Sequence, residues 1–322
     1  MNIRKIVLIL LQILTGTGFL FAQFDTQLSQ YMFNYPGFNP AAAGETDLMS
    51  VTGQHRLNWI DMPRGGTTTN FNLNSPFSMG GAKQGIGINF VKDEVGLFVN
   101  QSVALQYSRK FKLGKGRMSV GLQAGVLSVG FQGDSARGPQ VVMGEYHDIQ
   151  NDEAIPKTMV EGFGADISAG LWYTYNQYFG GLSYSHLNQP VITWTDDVEY
   201  SPSGTMYVTG GFNRSLQNPK LLFSPSFMFR TDWVNWSADI SAVMHYDKQY
   251  WGGLTYRIAD AVVFLAGLNI QGGISIGYSF DLPTNKLITR TWGSHEVVVS
   301  YQFAVDKDGA NRRKKFKNIR FL

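Results

Sequence analysis

The sequence predicts an all-β fold, a transmembrane antiparallel β-barrel of about 14 strands, and three observations carry the prediction. Short segments alternate apolar and polar residues throughout the chain after residue 46. The connections between them sort into long and short by parity. Aromatic residues gather at the segment ends. A period of two is the side-chain period of a strand. Trp236, Ala238, Ile240, Ala242, Met244 and Tyr246 share one face, and Ser237, Asp239, Ser241, Val243 and His245 share the other. Val297, Val299, Tyr301 and Phe303 alternate likewise with Val298, Ser300 and Gln302. The apolar face meets either a protein core or lipid.

The chain divides into four parts. Residues 1–22 read as a signal peptide, with Arg4 and Lys5 before the apolar run Ile6 to Leu14 and Ala22 before a cleavage point. That run is shorter than the ~20 residues a spanning helix needs, and no later segment reaches the length. A membrane protein of this sequence must therefore be a closed barrel, because only helices and barrels satisfy every backbone group in lipid. Residues 23–46 are rich in Gln, Asn, Pro, Ala and aromatics, without clean periodicity. They read as a periplasmic segment or plug. Residues 47–304 form the barrel, and residues 305–322 a basic periplasmic tail.

Within the barrel the strands are expected near 47–60, 67–75, 84–92, 97–112, 117–131, 164–174, 178–186, 204–214, 220–231, 236–246, 250–258, 261–270, 273–281 and 294–304. With both termini of the mature chain in the periplasm, odd connections lie outside. They include the three longest: Gln132 to Phe163, Leu187 to Ser203 and Leu282 to Gly293. The even connections are short, as outer-membrane barrels require; Ser75 to Lys83 is the one long exception. Trp172, Tyr173, Tyr175, Tyr178, Phe179, Trp233, Trp236, Tyr246, Tyr250, Trp251, Tyr278 and Phe280 fit interfacial girdles. A soluble sandwich would carry Lys and Glu on its polar faces, whereas Ser, Gly, Gln, Asn and Thr predominate here, which suits a lumen.

Composition removes several function classes. The 322 residues include no Cys, so disulfides, thiolate metal sites and a lipoprotein anchor are excluded. A net charge of +3 gives no argument for nucleic acid. Charged residues are only 16% and aromatics 14% of the chain. His55, His147, His186, His245 and His295 lack zinc-site spacing. Glu145, His147 and Asp148 are close enough in sequence to bind a divalent ion, but read better as a solvated acidic loop. Ser185 and His186 fall on opposite faces of a strand, which argues against a nucleophile–base pair. No catalytic residue, metal site or cofactor is expected.

Several strings together resemble one family, the PorP/SprF membrane proteins of the type IX secretion system of Bacteroidota. They are Gln27-Leu-Ser-Gln-Tyr-Met-Phe-Asn34, Asn39-Pro-Ala-Ala-Ala-Gly44, His55-Arg-Leu-Asn-Trp59 with Pro63, and Gly87-Ile-Asn-Phe-Val-Lys-Asp-Glu-Val-Gly96. Gly180-Gly-Leu-Ser-Tyr-Ser-His-Leu-Asn188, Trp251-Gly-Gly-Leu-Thr-Tyr-Arg257, Ser294-His-Glu296 and Lys314-Lys-Phe-Lys-Asn-Ile-Arg320 complete the set. The resemblance implies an outer-membrane barrel that assembles, anchors or serves type IX secretion, or exports particular surface proteins such as gliding adhesins. Implied partners are periplasmic subunits, among them a ring complex and a peptidoglycan-binding lipoprotein, or an exported surface protein, besides outer-membrane lipid.

Two places are candidate partner-binding sites. One is the stiff aromatic N-terminal segment, with Tyr31, Phe33, Asn34, Asn39, Pro40 and Gly44. It packs into the periplasmic mouth, as a plug alone or onto a partner. The other is the tail, where Arg312, Arg313, Lys314, Lys315, Lys317 and Arg320 fit an acidic partner or the cell wall, or simply a solvated end. A filled lumen predicts no freely conducting pore. The competing function is a 14-strand outer-membrane transporter of hydrophobic or small solutes, with the N-terminal segment as its hatch.

Overall fold

Inner positions along the strands are polar and buried while outer positions are apolar and exposed, an inside-out barrel. A computed structural model describes residues 25–133, 158–195 and 198–304. The strands are β1 (Met49–Leu57), β2 (Thr67–Met79), β3 (Ala82–Val95), β4 (Phe98–Leu113), β5 (Gly116–Gln132) and β6 (Met159–Tyr175). Then come β7 (Tyr178–Ser185), β8 (Ile192–Thr195), β9 (Val198–Tyr200), β10 (Thr205–Phe212) and β11 (Arg214–Ser215). The last six are β12 (Leu221–Thr231), β13 (Trp236–Tyr246), β14 (Tyr250–Arg257), β15 (Ala261–Ile270), β16 (Ile274–Pro283) and β17 (Ser294–Phe303).

Each wall strand pairs antiparallel with its neighbours in the wall, β1 pairs with β17, and β10 pairs directly with β12 past the two-residue β11. The two-residue β11 continues β10 beyond Asn213, so the wall is a closed barrel of 14 strands. Closure leaves no sheet edge, the condition for strands to cross lipid. No helix among the described residues is long and apolar enough to cross a membrane.

The alternation resolves as lipid-facing. Ile240, Leu254, Phe264, Val297, Val299 and Tyr301 are exposed on the outside, while Asp239, Ser241, Thr255, Glu296, Val298 and Ser300 are buried inside. One end carries tight connections: Gly80 and Gly81, Gly114 and Lys115, Asn176 and Gln177, and Asp247 to Gln249. The other carries the long ones. Both the start of β1 and the end of β17 lie at the tight-turn end, since Met49 pairs with Phe303.

Four expectations change. The long even connection at 75–83 does not exist: β2 runs on to Met79, and β3 begins at Ala82. β1 pairs with β2 only as far as Asn74, so at Pro76 β2 has a neighbour strand on one side alone, a place where a residue without an N–H is tolerated. Gly80 and Gly81 make the turn with φ of 60° and 75°. The exception to the parity rule thus disappears.

Second, the connection after β7 is not plain loop. Its β8–β9 hairpin folds against the inner wall, with Ile192 buried on Leu127 and Val129, and Trp194 Nε1 donating to the Val129 carbonyl at 2.8 Å. Third, the girdle is thinner than expected: Trp172, Phe179 and Trp251 face the lumen and are buried. Neighbours on a strand point to opposite faces, so in Trp172–Tyr173, Tyr178–Phe179 and Tyr250–Trp251 only one member of each pair can reach lipid. Fourth, the lumen is not merely small and neutral. Arg56, Lys110, Arg230, Asp239, Arg257, Asp281 and Glu296 are buried inside it. The signal peptide, the Glu145–Asp148 cluster and the basic tail lie outside the described residues.

Candidate functional site

The lumen is filled by the chain's own N-terminal segment. From Asp25 in the long-loop half, residues 29–44 descend the barrel interior and leave at the tight-turn end to enter β1. Single turns of 3-10 helix at Tyr31–Phe33, Tyr35–Gly37 and Pro40–Ala42 fold it compactly, with Pro at the first or second position of the latter two. The expected seat at the tight-turn mouth therefore holds only for the last part. The segment reaches deeper because wall side chains meet its backbone at intervals along its length, Gln54, Gln106, Asn89 and Ser183 donating to the carbonyls of Gln30, Pro36, Gly37 and Phe38, while its own turns satisfy most of the rest.

The upper anchor is ionic. Glu296, fully buried, accepts the Ser29 N–H at 2.7 Å and the Gln30 N–H at 3.0 Å. Ser29 Oγ donates to Asp281 at 2.6 Å and accepts from Arg56 at 2.7 Å and Arg257 at 3.0 Å. Asp281 bridges both guanidinium groups at 2.9 Å, and Arg257 also pairs with Asp239 at 3.0 Å. These charges come from β1, β13, β14, β16 and β17, so one serine ties four strands to the plug directly and β13 through Arg257. Inward-facing alternate positions bring them together; nothing local in the sequence does.

The middle is amide and aromatic. Tyr31 Oη lies 3.0 Å from both Ser226 Oγ and Ser241 Oγ. Asn34 Nδ2 donates to Gln54 at 2.8 Å and Asn70 at 2.6 Å. Phe33 packs on Trp251 with ring centres 4.4 Å apart, and Tyr35 on Trp172 at 4.9 Å and Phe179 at 5.3 Å. The lumen-facing aromatics thus hold the plug instead of marking the interface.

The lower anchor depends on missing side chains. A Cβ at Gly121 would lie 2.2 Å from the Ala41 nitrogen, one at Gly170 2.1 Å from Asn39 Oδ1, and one at Gly85 2.1 Å from the Ala43 carbonyl oxygen. Glycine in the wall and alanine in the plug let two backbones touch. Asn39 caps its own turn, accepting from Ala41 N at 3.0 Å, and donates to the Leu171 carbonyl at 3.1 Å. Ser119 and Ser108 donate to the Ala41 and Ala43 carbonyls, each at 2.7 Å. Gly44, at φ 61°, donates to Asn74 at 3.0 Å and turns the chain toward β1. Glu45 pairs with Arg117 at the exit.

Of the residues expected to bind a partner, Tyr31, Asn34, Asn39, Pro40 and Gly44 are buried in the lumen and Phe33 is partly buried there. Arg312, Arg313, Lys314, Lys315, Lys317 and Arg320 lie outside the described residues. Sequence reasoning missed the ionic anchor, whose members are spread from Ser29 to Glu296. Beside the plug, a small cleft with room of about 50 Å³ for water runs between Met32–Pro36 and the hydroxyls of Ser50, Thr52, Ser275 and Ser300. His186 follows the end of β7 with a left-handed φ of 54°, so it is not on the strand beside Ser185. Its Nδ1 lies 2.8 Å from Asp166 and its Nε2 3.8 Å from Asp25. Burial alone would lower its pKa; the Asp166 hydrogen bond and the Asp25 and Asp166 charges outweigh that and raise it. No cluster of three or more metal-ligating side chains occurs among the described residues.

Solved structures of similar shape are outer-membrane barrels. The toluene transporter TbuX of Ralstonia pickettii is 12% identical over 85% of this chain and 93% of its own, with a TM-score of 0.46. A TodX deletion mutant, a monoaromatic hydrocarbon channel, is 10% identical over 87% and 95%, with a TM-score of 0.48. A Pseudomonas aeruginosa FadL homologue is 11% identical over 84% and 92%, with a TM-score of 0.46. At these levels the likeness carries no functional argument. No curated protein matches in sequence. The model of one family, type IX secretion system membrane protein PorP/SprF, matches residues 20–301. That family is one of membrane secretion proteins and not a known enzyme class. With a plugged outer-membrane-type barrel under nearly the whole match, the chain belongs to the PorP/SprF family of type IX secretion system membrane proteins.

Proposed function

We propose that this chain is a closed outer-membrane mount for type IX secretion, which engages periplasmic subunits from its tight-turn end and does not itself conduct. The observation that supports this reading is the continuous bonding of residues 29–44 to the wall, from Glu296 at one end to Asn74 at the other. A lumen so filled leaves the barrel's ends as its working surfaces. Short turns face the periplasm in outer-membrane barrels, which puts the exit of the plug at Glu45 and the end of β17 at Phe303 on that side. The tail that follows, with Arg312, Arg313, Lys314, Lys315, Lys317 and Arg320, then meets an acidic surface on a periplasmic subunit. Tyr31, Phe33, Asn34, Asn39, Pro40 and Gly44 serve that contact by fixing the plug and the mouth around it.

A pull-down of the full chain from detergent extract tests the proposal. Recovery of periplasmic secretion subunits with the native tail, and their loss when the six basic residues are made neutral, is expected. Recovery unchanged by the neutral tail moves the contact elsewhere; deletion of residues 24–44, with the barrel still assembled, then asks whether the plug carries it. Capture of an exported surface protein alone would make the chain a cargo-specific accessory. The transporter reading needs the plug to leave, and solute uptake by vesicles bearing the intact chain would support it.

A further inference from the structure

Two of the strings that singled out this sequence, His55 to Trp59 and Ser294 to Glu296, meet at the long-loop end. There the connections 58–66 and 284–293 are bonded into one surface. Ile60 N donates to the Gly293 carbonyl at 2.8 Å, and Trp292 N to the Ile60 carbonyl at 3.1 Å. Thr291 Oγ1 donates to the same Ile60 carbonyl at 2.7 Å, and Trp59 N to Ser294 Oγ at 3.0 Å. Trp59, Asp61 and Arg64 all have left-handed φ, at 45°, 67° and 61°. Non-glycine residues hold such angles only where the surroundings fix them. The surface is therefore preformed.

Its exposed chemistry is mixed apolar and charged, basic on balance, with Arg64, Lys286 and Arg290 against Asp61. Trp292 is 74% exposed and Ile288 52%, on a connection whose 3-10 turn spans Lys286–Thr289. Met62 is exposed on the facing connection. Lys286 and Arg290 stand exposed within the same short stretch as Ile288 and Trp292. None of this is needed for the plug or for the tight-turn end.

We propose that these two connections form a docking surface for the outer leaflet, one that takes the phosphates of an anionic glycolipid on Lys286 and Arg290 while Trp292 and Ile288 enter the headgroup–acyl boundary. The proposal rests on the orientation given above, with the long-loop end outside. Continuity favours lipid over a protein partner. The strands that carry the surface, β1 and β17, present Leu57 and Val297 to lipid next to it, and Val299 and Tyr301 continue the same face towards the tight-turn end. Trp at the edge of a lipid-facing wall is the usual anchor at the membrane interface, and adjacent Lys and Arg bind anionic headgroups.

The test uses the full chain in nanodiscs of phosphatidylethanolamine, with or without bis-phosphorylated lipid A. Native mass spectrometry should find lipid A retained on the wild type. Retention should fall roughly thirtyfold in apparent affinity in Lys286→Ala/Arg290→Ala, at about fivefold per lost charge, and should be absent with dephosphorylated lipid. Trp292 fluorescence, taken as the difference from Trp292→Phe, should be quenched by brominated acyl chains and shielded from aqueous iodide. Equal retention by the double variant, or a Trp292 open to iodide and untouched by brominated lipid, overturns the proposal and leaves a soluble partner as the occupant. Orientation is checked separately. The chain has no Cys, so Ser203→Cys gives a single thiol at the same end. Labelling by an impermeant maleimide on intact cells upholds the orientation; labelling only after permeabilisation overturns it, and the lipid proposal with it.

Discussion

The two ends of the plug are held by opposite means. At Ser29 and Gln30 the wall supplies charge: two arginines and two carboxylates converge on one hydroxyl and two amides. At Asn39 to Gly44 the wall supplies mainly absence: Gly85, Gly121 and Gly170 let the segment in, and hydroxyls, an amide and the Lys110 ammonium finish the contact. The ionic end is specific but costly, since every buried charge must keep its partner or strain the rest. The glycine end carries a lone buried ammonium, Lys110, on the Ala43 carbonyl rather than a converging charge cluster, and its contact surface tolerates no added atom. A plug built this way has one end open to chemical control and one end fixed by shape.

The sharpest break of that contrast is Gly121→Leu. Its side chain needs the space that Ala41 occupies, so the lower plug should be expelled from an otherwise closed barrel. Protease cleavage within residues 29–44, with heat-modifiable gel mobility retained, is the expected result. Glu296→Ala should follow, loosening the upper anchor by about 3–5 kcal/mol, the range for removing one partner of a buried charge cluster. Hydrogen exchange should then speed up at Ser29 and Gln30 while Ala41 to Gly44 stay slow. Equal acceleration at both ends would mean that the plug moves as one piece. Trp172→Ala reverses the pattern, at about 3 kcal/mol or more for a buried aromatic, with Tyr35 losing one of its two wall aromatics and Ser29 remaining protected. Tyr31→Phe removes one hydroxyl between Ser226 and Ser241 and should cost about 1 kcal/mol.

The smallest effect is one of pH. The His186 pKa is raised by Asp166 and Asp25, so its tether to the start of the plug is fully present below the unfolded value of about 6.5. It is lost as pH rises through the higher folded value. Exchange at Thr26 and Gln27, corrected for its intrinsic pH dependence, should rise across that window and show no such step in His186→Ala.

Much of this was legible in the sequence. Alternation, loop parity and the Pro- and Ala-rich segment before β1 give the barrel and announce a plug. The doubled aromatics at Trp172–Tyr173, Tyr178–Phe179 and Tyr250–Trp251 carry a further signal, beyond the interfacial girdle. On a strand such a pair must serve both faces, so three aromatics were bound to point inward, where Phe33 and Tyr35 meet them. The ionic anchor was not legible. Arg56, Asp239, Arg257, Asp281 and Glu296 each occupy an ordinary inward position, and only closure of the barrel in this register brings them to Ser29. The β8–β9 hairpin was hidden for a different reason: its core is three residues, Leu127, Val129 and Ile192, drawn from two distant segments.

The central claim is that the N-terminal segment closes the barrel. Planar-bilayer recording of the purified full chain, beside a variant lacking residues 25–44, tests it most directly. The account predicts no stable ohmic steps from the full chain and open-channel steps from the deletion. Large steady steps from the full chain would contradict it.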